Sequence, residues 1–330
     1  MDFQRIGESA AKSDTTARPI VQDRVLQYDA DFACYEVSDL DETTAQSYKR
    51  LLDHIEVKRC LAGAEFVNAH ITLGSKSGRE AMATLKEYQE NRDPDAPIKV
   101  RVKELRHMLA NDSTVAMMPV YNLNYEADDM MVQYQHNRVK EHGVESSVIM
   151  SGDKDLWMAQ GYHCDPKTGR LHIVDGFGHT EYREVGNVKP KLVGKGYSWF
   201  WHQMILGDRA DNIPGLEKIS NSMLDRYLPL KSGKARATGA AACGEAKAYE
   251  VLKGVTTDKE AAQRTYELYW EYYGAMASER MIEQAYLLWM QRTEDPWDVL
   301  VYLHDMCGLK VQPSKRQLEI VEEFRSICDS

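Results

Sequence analysis

The sequence predicts an α/β protein with a mainly parallel central sheet, flanking helices, a basic insertion and a C-terminal helical region. Short apolar runs alternate with helical patterns from Arg24 to about residue 150, as in parallel sheets whose strands are joined by helical crossovers. Beyond about Tyr197 the strand patterns stop and only helical patterns continue. The length of 330 residues suits two domain-sized units, since one unit takes ~150 residues.

The elements are predicted in chain order from hydrophobic periodicity. Strands are expected at 24–28, 66–72, 114–119 and 146–150, with helices from Ser38 through Ile55, at 125–142 and from Lys154. Helical patterns follow at 197–206, 243–253, 259–273, 278–291 and 314–328. We therefore expect a flexible tail over residues 1–18, an α/β core over 19–200 and a helical region over 201–330.

Residues 74–112 differ in character from the rest of the core. Two weakly apolar helical stretches are broken at Asp93-Pro94-Asp95-Ala96-Pro97. Their basic side chains are Lys76, Arg79, Lys86, Arg92, Lys99, Arg101, Lys103 and Arg106. A segment of this composition is expected to contribute little to the core, and it is predicted to be a basic insertion.

The composition excludes several classes of protein. No apolar run approaches the ~18 residues of a membrane span, and the polar start lacks the apolar segment of a secretory signal. The six cysteines are widely spaced and form no Cys-x-x-Cys motif. This spacing favours reduced thiols over a zinc site. We therefore expect a cytoplasmic protein that has no membrane partner.

The net charge of −10, from 51 acidic and 41 basic residues, argues weakly against nucleic acid as a partner. Nucleic-acid binding depends largely on neutralising phosphates with Lys and Arg. However, net charge does not describe how the charges are distributed. If many carboxylates surround metal ions, the remaining surface can still be locally basic.

Carboxylates follow the predicted strands at several places. Asp29 and Asp31 follow the first strand, Glu126, Asp128 and Asp129 open the helix after the third, and Asp153 and Asp155 follow the fourth. Ligands collect at the carboxyl ends of parallel strands, so one sheet would bring these groups together. Each group alone is also typical of a helix cap, and capping is the commoner role.

Taken together, these carboxylates indicate metal binding more than helix capping. Carboxylates that converge on one edge repel one another unless cations neutralise them. Hard oxygen ligands without His or Cys favour Mg²⁺ or Mn²⁺ over Zn²⁺. Two such ions ~3.5–4 Å apart are the usual clamp for phosphodiester hydrolysis. The residues therefore indicate a metal-dependent phosphoryl-transfer enzyme.

Three segments resemble the signature blocks of the flap endonuclease family, which includes phage 5′ nucleases and the 5′→3′ exonuclease domain of bacterial DNA polymerase I. They are Tyr125-Glu126-Ala127-Asp128-Asp129-Met130, Ser151-Gly152-Asp153-Lys154-Asp155-Leu156 and 207–215, which holds Asp208 and Asp211-Asn212-Ile213-Pro214-Gly215. Their order and spacing agree over residues 24–255, and the basic insertion falls where the family has its helical arch. The resemblance implies a free-standing phage-type 5′ nuclease in a host cytoplasm, acting on DNA 5′ ends, flaps and nicks during replication or recombination.

The resemblance assigns the metal ligands residue by residue. It implies two Mg²⁺ ions, with Mn²⁺ as a substitute. Asp29, Glu126, Asp128 and Asp129 would hold the first ion, with Asp153 shared or nearby, and Asp155, Asp208 and Asp211 would complete a looser second site.

The resemblance also assigns contacts to DNA. Lys86, Arg92 and Arg79 would steer or polarise the phosphate, although a solvated helix face is the other common role of such residues. Tyr35 would stack on a base, with a core tyrosine as an equally common alternative. A helix-three-turn-helix element would aim backbone N–H groups at a duplex phosphate, although a Pro-Gly turn is otherwise an ordinary loop signal. Its residues are Asn212, Ile213, Pro214, Gly215 and Lys218.

The sequence departs from the family pattern at three places. Ser75 stands where the family has an aspartate, and Gln89 stands where the arch motif has a lysine. Residues 217–220 replace the glycine-rich half of the duplex-binding turn, where the family holds K⁺. Ser75 and Gln89 leave open a catalytically impaired, structure-specific DNA-binding protein. A nuclease that cleaves the RNA strand of RNA–DNA hybrids is a second alternative, because the sequence does not distinguish it from a DNA nuclease.

Overall fold

The computed structural model describes residues 17–93, 96–185 and 188–328, so most of the predicted tail lies outside the described residues. Contacts divide the chain into two compact units. The first unit comprises the chain through Ser75 and then Asp93–Asp175, and the second comprises Lys76–Arg92 and the chain from Gly176 onward. This division differs from the predicted boundaries. The core ends near residue 175 instead of 200, and part of the predicted insertion packs within the second unit.

The first unit is built on one six-stranded sheet. Its strands are β1 (Val21–Asp29), β2 (Ala64–His70), β3 (Met117–Val120), β4 (Ser147–Met150), β5 (Gly161–Cys164) and β6 (Leu171–Val174). Their spatial order is β3-β2-β1-β4-β5-β6, and only the β5–β6 pair is antiparallel. The mainly parallel sheet predicted from the sequence is therefore confirmed. The sequence did not predict β5 and β6.

The helices are numbered along the chain. They are α1 (Ala30–Val37), α2 (Thr44–Ala62), α3 (Arg79–Met82), α4 (Pro97–Ala110), α5 (Ala127–His142), α6 (Tyr197–Leu206), α7 (Asn221–Tyr227), α8 (Glu245–Leu252), α9 (Asp258–Tyr273), α10 (Ala277–Leu288), α11 (Asp298–Val301) and α12 (Lys315–Cys328). Single 3₁₀ turns lie at Val144–Ser146, Asp155–Met158 and Gly274–Met276, and a π turn at Tyr302–Met306. Among the described residues, no helix combines the length and the apolar composition that a membrane span would require.

Local sequence signals explain the first-unit helices. Helix α2 begins with a capping box in which Thr43 and Gln46 satisfy each other's backbone N–H groups, and it ends at Gly63 in the left-handed conformation. Helix α4 buries Val102, Leu105 and Leu109 in the core of the first unit, although the sequence predicted little core contribution here. The abundant basic residues of α4 hid this apolar stripe, whose i, i+3, i+7 spacing is that of an amphipathic helix.

The second unit is mainly helical around a buried aromatic core. Phe200, Trp201, Trp289 and Tyr302 pack with ring centroids 4.5–6.1 Å apart. Two antiparallel pairs, β7 (His179–Val185) with β8 (Val188–Lys195) and β9 (Lys218–Ser220) with β10 (Ala240–Ala242), were not predicted. Strand β9 lies between α6 and α7, in the segment that the sequence predicted to belong to the helix-three-turn-helix element.

The order of the strands places a switch point between β1 and β4. From β1 the chain continues to β2 and β3 on one side, and it then returns to β4 on the other side. In open parallel sheets, ligands bind beyond the carboxyl ends of the strands at this point. Asp29 ends β1, and Ser151 follows β4.

Candidate metal centre

Asp29 combines a structural role with a place at the switch point. Its carboxylate accepts a hydrogen bond from the Phe32 N–H (2.8 Å) and caps α1. Its second oxygen accepts a hydrogen bond from the Ser151 hydroxyl. Only 4% of the residue is exposed. A carboxylate has about four lone-pair sites, so these two bonds leave capacity for a cation.

The loop after β4 is organised by Ser151. Its hydroxyl oxygen accepts a hydrogen bond from the Asp153 N–H (2.9 Å) while it donates to Asp29. The Asp153 carboxylate accepts in turn from the Asp155 N–H (2.8 Å), and Lys154 Nζ lies 3.0 Å from an Asp155 oxygen. One hydroxyl therefore links the carboxylate that ends β1 to the loop that carries Asp153.

A third group of acids opens α5. Glu126 occupies the N-cap position without a side-chain cap bond, and Asp128 and Asp129 lie in the first turn. The Thr72 hydroxyl accepts a hydrogen bond from the Ala127 N–H (2.9 Å), which fixes this helix end to the segment after β2. Negative side chains are favoured at a helix N-terminus, so the acids also suit the helix dipole.

Asp31 is already paired within the protein. Its carboxylate lies 2.8 Å from Arg106 Nε and accepts a hydrogen bond from the Thr72 N–H (3.1 Å). Burial raises the pKa of Asp31, and the Arg106 guanidinium opposes this shift. The sequence reasoning missed this function of Arg106, which it placed in a basic insertion. Arg106 follows Leu105, which belongs to the apolar stripe of α4, and this position could have indicated that Arg106 lies near the core.

Burial and like charge act together on the remaining carboxylates. Burial raises the pKa of Asp29 to about 7, repulsion from Asp31 and Asp153 adds to the shift, and hydrogen bonds to the carboxylate oppose it. Burial also raises the pKa of Asp128 well above its ordinary value, followed by the charges of Asp29, Asp153 and Glu126. The structure therefore brings acids from three separate sequence blocks into electrostatic contact.

The donor set of these four acids fits a hard divalent cation. Asp29, Glu126, Asp128 and Asp153 offer only carboxylate oxygens, the ligands that Mg²⁺ and Mn²⁺ prefer. A bound cation would offset the repulsion that adds to the effect of burial on the pKa values of Asp29 and Asp128. Asp129 opens the same helix but is completely buried, with partners of its own. Its assignment as a ligand stays a prediction, as do the other individual assignments.

The acids predicted for a second ion belong to different units. Asp155 lies in the first unit and is 7% exposed. Asp208 and Asp211 lie in the second unit, where Asp208 accepts a hydrogen bond from the Ala210 N–H (2.8 Å). Joint metal binding by these three residues stays a prediction.

Asp211 is the centre of a hydrogen-bond network within the second unit. Its carboxylate accepts a hydrogen bond from the Gln89 side-chain amide (2.9 Å) and pairs with Arg92. The Gln89 N–H also donates to the Asp211 carbonyl (3.0 Å). Gln89 stands where the resembled motif has lysine, and here it binds an acid within the same unit.

The other predicted DNA contacts differ in accessibility. Lys86 is exposed, and Tyr35 is 41% exposed on α1, so Tyr35 is not the core tyrosine of the alternative interpretation. Arg79 is 2% exposed and donates to the Trp289 carbonyl (2.7 Å). The predicted role of Arg79 as a phosphate contact is therefore corrected. Its guanidinium is enclosed within the second unit, where it satisfies a backbone carbonyl.

The predicted use of the Pro-Gly turn also needs correction. The Ile213 N–H donates to the Asp208 carbonyl (2.7 Å). The Gly215 N–H donates to the Gln284 side chain (2.9 Å), and the Leu216 N–H donates to the Ile205 carbonyl (2.9 Å). These N–H groups are consumed inside the unit and do not face a DNA phosphate. The side chains of Asn212 and Lys218, and the turn residue Pro214, stay predicted contacts.

Ser75 lies in an exposed loop of the first unit. Its hydroxyl donates to the Asn124 carbonyl (2.9 Å), and its N–H donates to the Leu123 carbonyl (2.7 Å). A Cβ on Gly74 would lie 2.0 Å from the Leu123 carbonyl oxygen, so the glycine permits this close approach. The loop therefore supports the segment that leads into Glu126, and Ser75 contributes a hydrogen bond instead of a charge.

The chain is therefore an α/β protein with buried and partly buried carboxylates at the switch point of its sheet. No family model matches the sequence, and no curated protein matches it. The T5 D15 protein, crystallised with metal ions, has a similar fold with a TM-score of 0.52 at 14% identity, covering 92% of this chain and 99% of its own.

Two further solved structures are similar to this chain. The T5 5′-exonuclease with bound zinc gives a TM-score of 0.50 at 15% identity, over 92% of this chain and 98% of its own. A bacteriophage T5 flap endonuclease complex with DNA and metal ions gives a TM-score of 0.48 at 13% identity, over 93% of this chain and 100% of its own. At this identity the likeness establishes the fold, which is the one that the sequence resemblance implied.

Proposed function

We propose that this protein is a divalent-metal-dependent 5′ nuclease that hydrolyses DNA phosphodiesters from 5′ ends and at 5′ flaps, in replication or recombination. One observation carries the proposal. Asp29 ends β1, Asp128 lies in the first turn of α5, and the Ser151 hydroxyl links Asp29 to Asp153 at the switch point of a T5 5′-nuclease fold. Burial raises the pKa values of Asp29 and Asp128, and repulsion from neighbouring carboxylates adds to both shifts. A protein retains such a cluster at a cost, and a bound cation offsets that cost.

Two groups of acids are proposed to bind Mg²⁺, with Mn²⁺ as a substitute. Asp29, Glu126, Asp128 and Asp153 would hold one ion, with Asp129 beside them, and Asp155, Asp208 and Asp211 would hold a second. When bound, such ions activate a water and stabilise charge on the phosphate. Ser151 keeps Asp29 and Asp153 oriented, because its hydroxyl is hydrogen-bonded to both residues.

Cationic and aromatic side chains are proposed to receive the DNA. Lys86 and Arg92 would draw the phosphate, an effect that is larger where water is excluded. Tyr35 is 41% exposed and would stack on a base. Asn212 and Lys218 would contact the duplex backbone. The K⁺ site that the family holds at this turn is not proposed, because short strand β9 occupies residues 218–220.

The test uses 5′-labelled flap, nicked and hybrid substrates with Mg²⁺ or with chelator. Natural protein should release 5′ products with Mg²⁺ only. Asp153→Asn should lower the single-turnover rate by about 100-fold or more, with DNA affinity unchanged or tighter, because it weakens the metal site and removes repulsion toward phosphate.

Asp53→Asn is the matched control, since Asp53 is an exposed acid on α2. It should leave the cleavage rate unchanged. Substantial Mg²⁺-dependent cleavage by Asp153→Asn would contradict a role for the cluster in the reaction.

The second candidate is a DNA-binding protein that has lost catalysis. It is favoured by Gln89, whose side chain binds Asp211 where the resembled motif has a cationic lysine. The same assay separates the two functions, because flap binding without cleavage at any Mg²⁺ or Mn²⁺ concentration supports the second. Cleavage of the hybrid substrate alone would instead identify the RNA strand as the target.

A further inference from the structure

Helix α10 contains a buried carboxylate that the proposed reaction does not use. Glu283 is 1% exposed, and one of its oxygens accepts hydrogen bonds from the N–H groups of Thr84 (2.6 Å) and Leu85 (2.9 Å). Its other oxygen accepts from the Thr84 hydroxyl (2.7 Å) and pairs with Arg280 (2.8 Å). A buried carboxylate is costly unless it is paired and hydrogen-bonded. Residues 84–85 therefore supply three of the hydrogen bonds that compensate for the burial of Glu283.

The next residue, Gln284, holds a second segment in the same way. It is completely buried, and its side-chain oxygen accepts a hydrogen bond from the Gly215 N–H (2.9 Å). Consecutive residues of a helix point in directions about 100° apart, so the two side chains reach different parts of the unit. Helix α10 therefore holds residues 84–85 with one residue and the turn at 207–215 with the next.

The two held segments are also joined to each other around Asp211. The joining bonds run from Gln89 and Arg92 to Asp211, from the Asn91 amide to the Arg209 carbonyl (3.0 Å) and from the Asn212 amide to the Glu87 carbonyl (2.8 Å). Helix α10, residues 84–92 and the turn thus form a closed circuit of contacts within the second unit.

We propose that Glu283 is a positioning residue, which sets the place of residues 84–92 and so the orientation in which Arg92 meets Asp211. The inference rests on the proposed function, in which Asp211 holds a metal ion and Arg92 draws the phosphate. Without the carboxylate, the N–H groups of Thr84 and Leu85 lose their acceptor, and residues 84–92 are held by fewer bonds. Because Glu283 acts through other residues, its loss should slow the chemical step more than it weakens DNA binding.

Amide hydrogen exchange tests the positioning directly, independently of activity. In Glu283→Ala, amides in residues 84–92 should exchange at least about tenfold faster than in the natural protein, because their local opening becomes easier. Amides of α9 should keep their protection. Unchanged exchange over 84–92 would overturn the proposal, whatever the protein cleaves.

Single-turnover kinetics test the consequence for the reaction. Glu283→Ala should lower the cleavage rate about tenfold or more while the DNA Kd changes less than about twofold. Glu283→Gln should recover part of the rate, because its side-chain oxygen can still accept from Thr84 and Leu85. Leu288→Ala is the control, because it creates a cavity at a buried position on the same helix. It should keep the natural cleavage rate at a temperature where the variant is folded.

The outcomes separate the inference from the proposed function. Equal losses of rate in Glu283→Ala and Leu288→Ala would reduce Glu283 to a structural residue and overturn the inference. If the natural protein cleaves no 5′-labelled substrate with Mg²⁺ or Mn²⁺, the proposed function fails. The exchange result then still decides whether Glu283 positions residues 84–92.

Discussion

Asp29 has a structural role in the fold and a proposed role in metal binding. The carboxylate caps α1, accepts a hydrogen bond from Ser151 and lies at the end of β1, and both hydrogen bonds favour the ionised form. Burial opposes ionisation and raises the pKa of Asp29 from its ordinary value of 3.8 to about 7. In the metal-free protein, ionised Asp29 therefore lowers the free energy of unfolding, and the size of this effect must depend on pH.

Replacement of Asp29 by asparagine should reveal that effect. The folded protein keeps the Asp29 proton up to about pH 7, while the unfolded chain releases it near pH 4. The folded state therefore binds more protons in this window, and its stability falls as pH rises, by an amount on the order of 1.4 kcal/mol per pKa unit. In chelator, the melting temperature of Asp29→Asn minus that of the natural protein should increase from about pH 5 to about pH 8.

Excess Mg²⁺ should reverse this difference at about pH 8, because the natural protein, with all four proposed ligands, binds the ion more tightly than the variant. The informative quantity is the difference in melting temperature between the two proteins, because other groups also make the melting temperature of each protein depend on pH. Buried His70 and His202 have pKa values lowered by burial to about 3 and about 4, and they add stability as pH rises. A melting-temperature difference that does not change with pH would show that ionised Asp29 does not lower the free energy of unfolding.

Ser75 provides a second test at the scale of one residue. We expect Ser75→Asp to lower the half-saturating Mg²⁺ concentration of single-turnover cleavage about threefold, since an added negative charge strengthens attraction for a cation in a partly screened loop. The added carboxylate loses the hydrogen bond to the Asn124 carbonyl, so the gain should be modest. A Mg²⁺ titration of both proteins measures the effect.

Ser75→Asn is the matched control, because it has nearly the size of aspartate without its charge. It should not lower the Mg²⁺ requirement. If only Ser75→Asp cleaves DNA, the natural chain is an inactivated nuclease, and the proposed activity is wrong at this residue.

At the scale of elements, the turn between α6 and β9 depends on two glycines that approach closely. Gly207 and Gly215 both have positive φ angles (75° and 60°), and a Cβ on Gly215 would lie 2.3 Å from the Gly207 nitrogen. Gly254 also has a positive φ (79°), but a Cβ there would meet nothing within 4 Å. Substitutions at Gly215 and Gly254 therefore both test the cost of a positive φ, and only the one at Gly215 adds a steric conflict.

Gly215→Ala should therefore destabilise the protein more than Gly254→Ala. Both variants carry the cost of an alanine with positive φ, about 1 kcal/mol. Gly215→Ala must also push two backbone segments apart, which adds about 1–3 kcal/mol by analogy with an overpacked core. Chemical denaturation measures both free energies of unfolding. Equal values would contradict the close approach.

The elements that the sequence predicted are those whose periodicity is long and clean. Helix α6 was predicted with its observed bounds of residues 197–206, and α9 and α10 were predicted to within a few residues. Strands β5 to β10 were missed because they are short or carry many polar side chains, as in His179–Val185. Their pairing depends on partners elsewhere in the sheet or hairpin, and no local pattern records that.

The acids of the site were predictable for a related reason. Asp29 and Asp153 follow strands that are recognisable as apolar runs, and strand ends converge in a parallel sheet. The partners of these acids were not predictable. Arg106 neutralises Asp31 from 75 positions further along the chain, and Gln284 takes the Gly215 N–H from 69 positions away. Such pairings depend on tertiary packing, which no short motif encodes.

For the molecule as a whole, the net charge of −10 opposes DNA binding. Association with a polyanion depends on phosphate neutralisation, and uncompensated carboxylates near the DNA weaken it. If the acids at the switch point hold cations, metal binding and DNA binding must favour each other. This coupling is reciprocal, because each ligand changes the affinity for the other by the same factor.

DNA affinity should therefore depend on a divalent cation even when nothing is cleaved. Ca²⁺ takes oxygen ligands, as Mg²⁺ does, and serves as the probe. We expect Ca²⁺ to tighten flap binding about tenfold or more relative to chelator at matched ionic strength, since it cancels repulsion between the acids and phosphate. The double variant Asp29→Asn with Asp128→Asn should bind flap more tightly than the natural protein in chelator and gain less from Ca²⁺. Fluorescence anisotropy measures all four affinities. Equal gains from Ca²⁺ in both proteins would mean that the cation acts elsewhere, and the carboxylates at the switch point would then not be the metal centre.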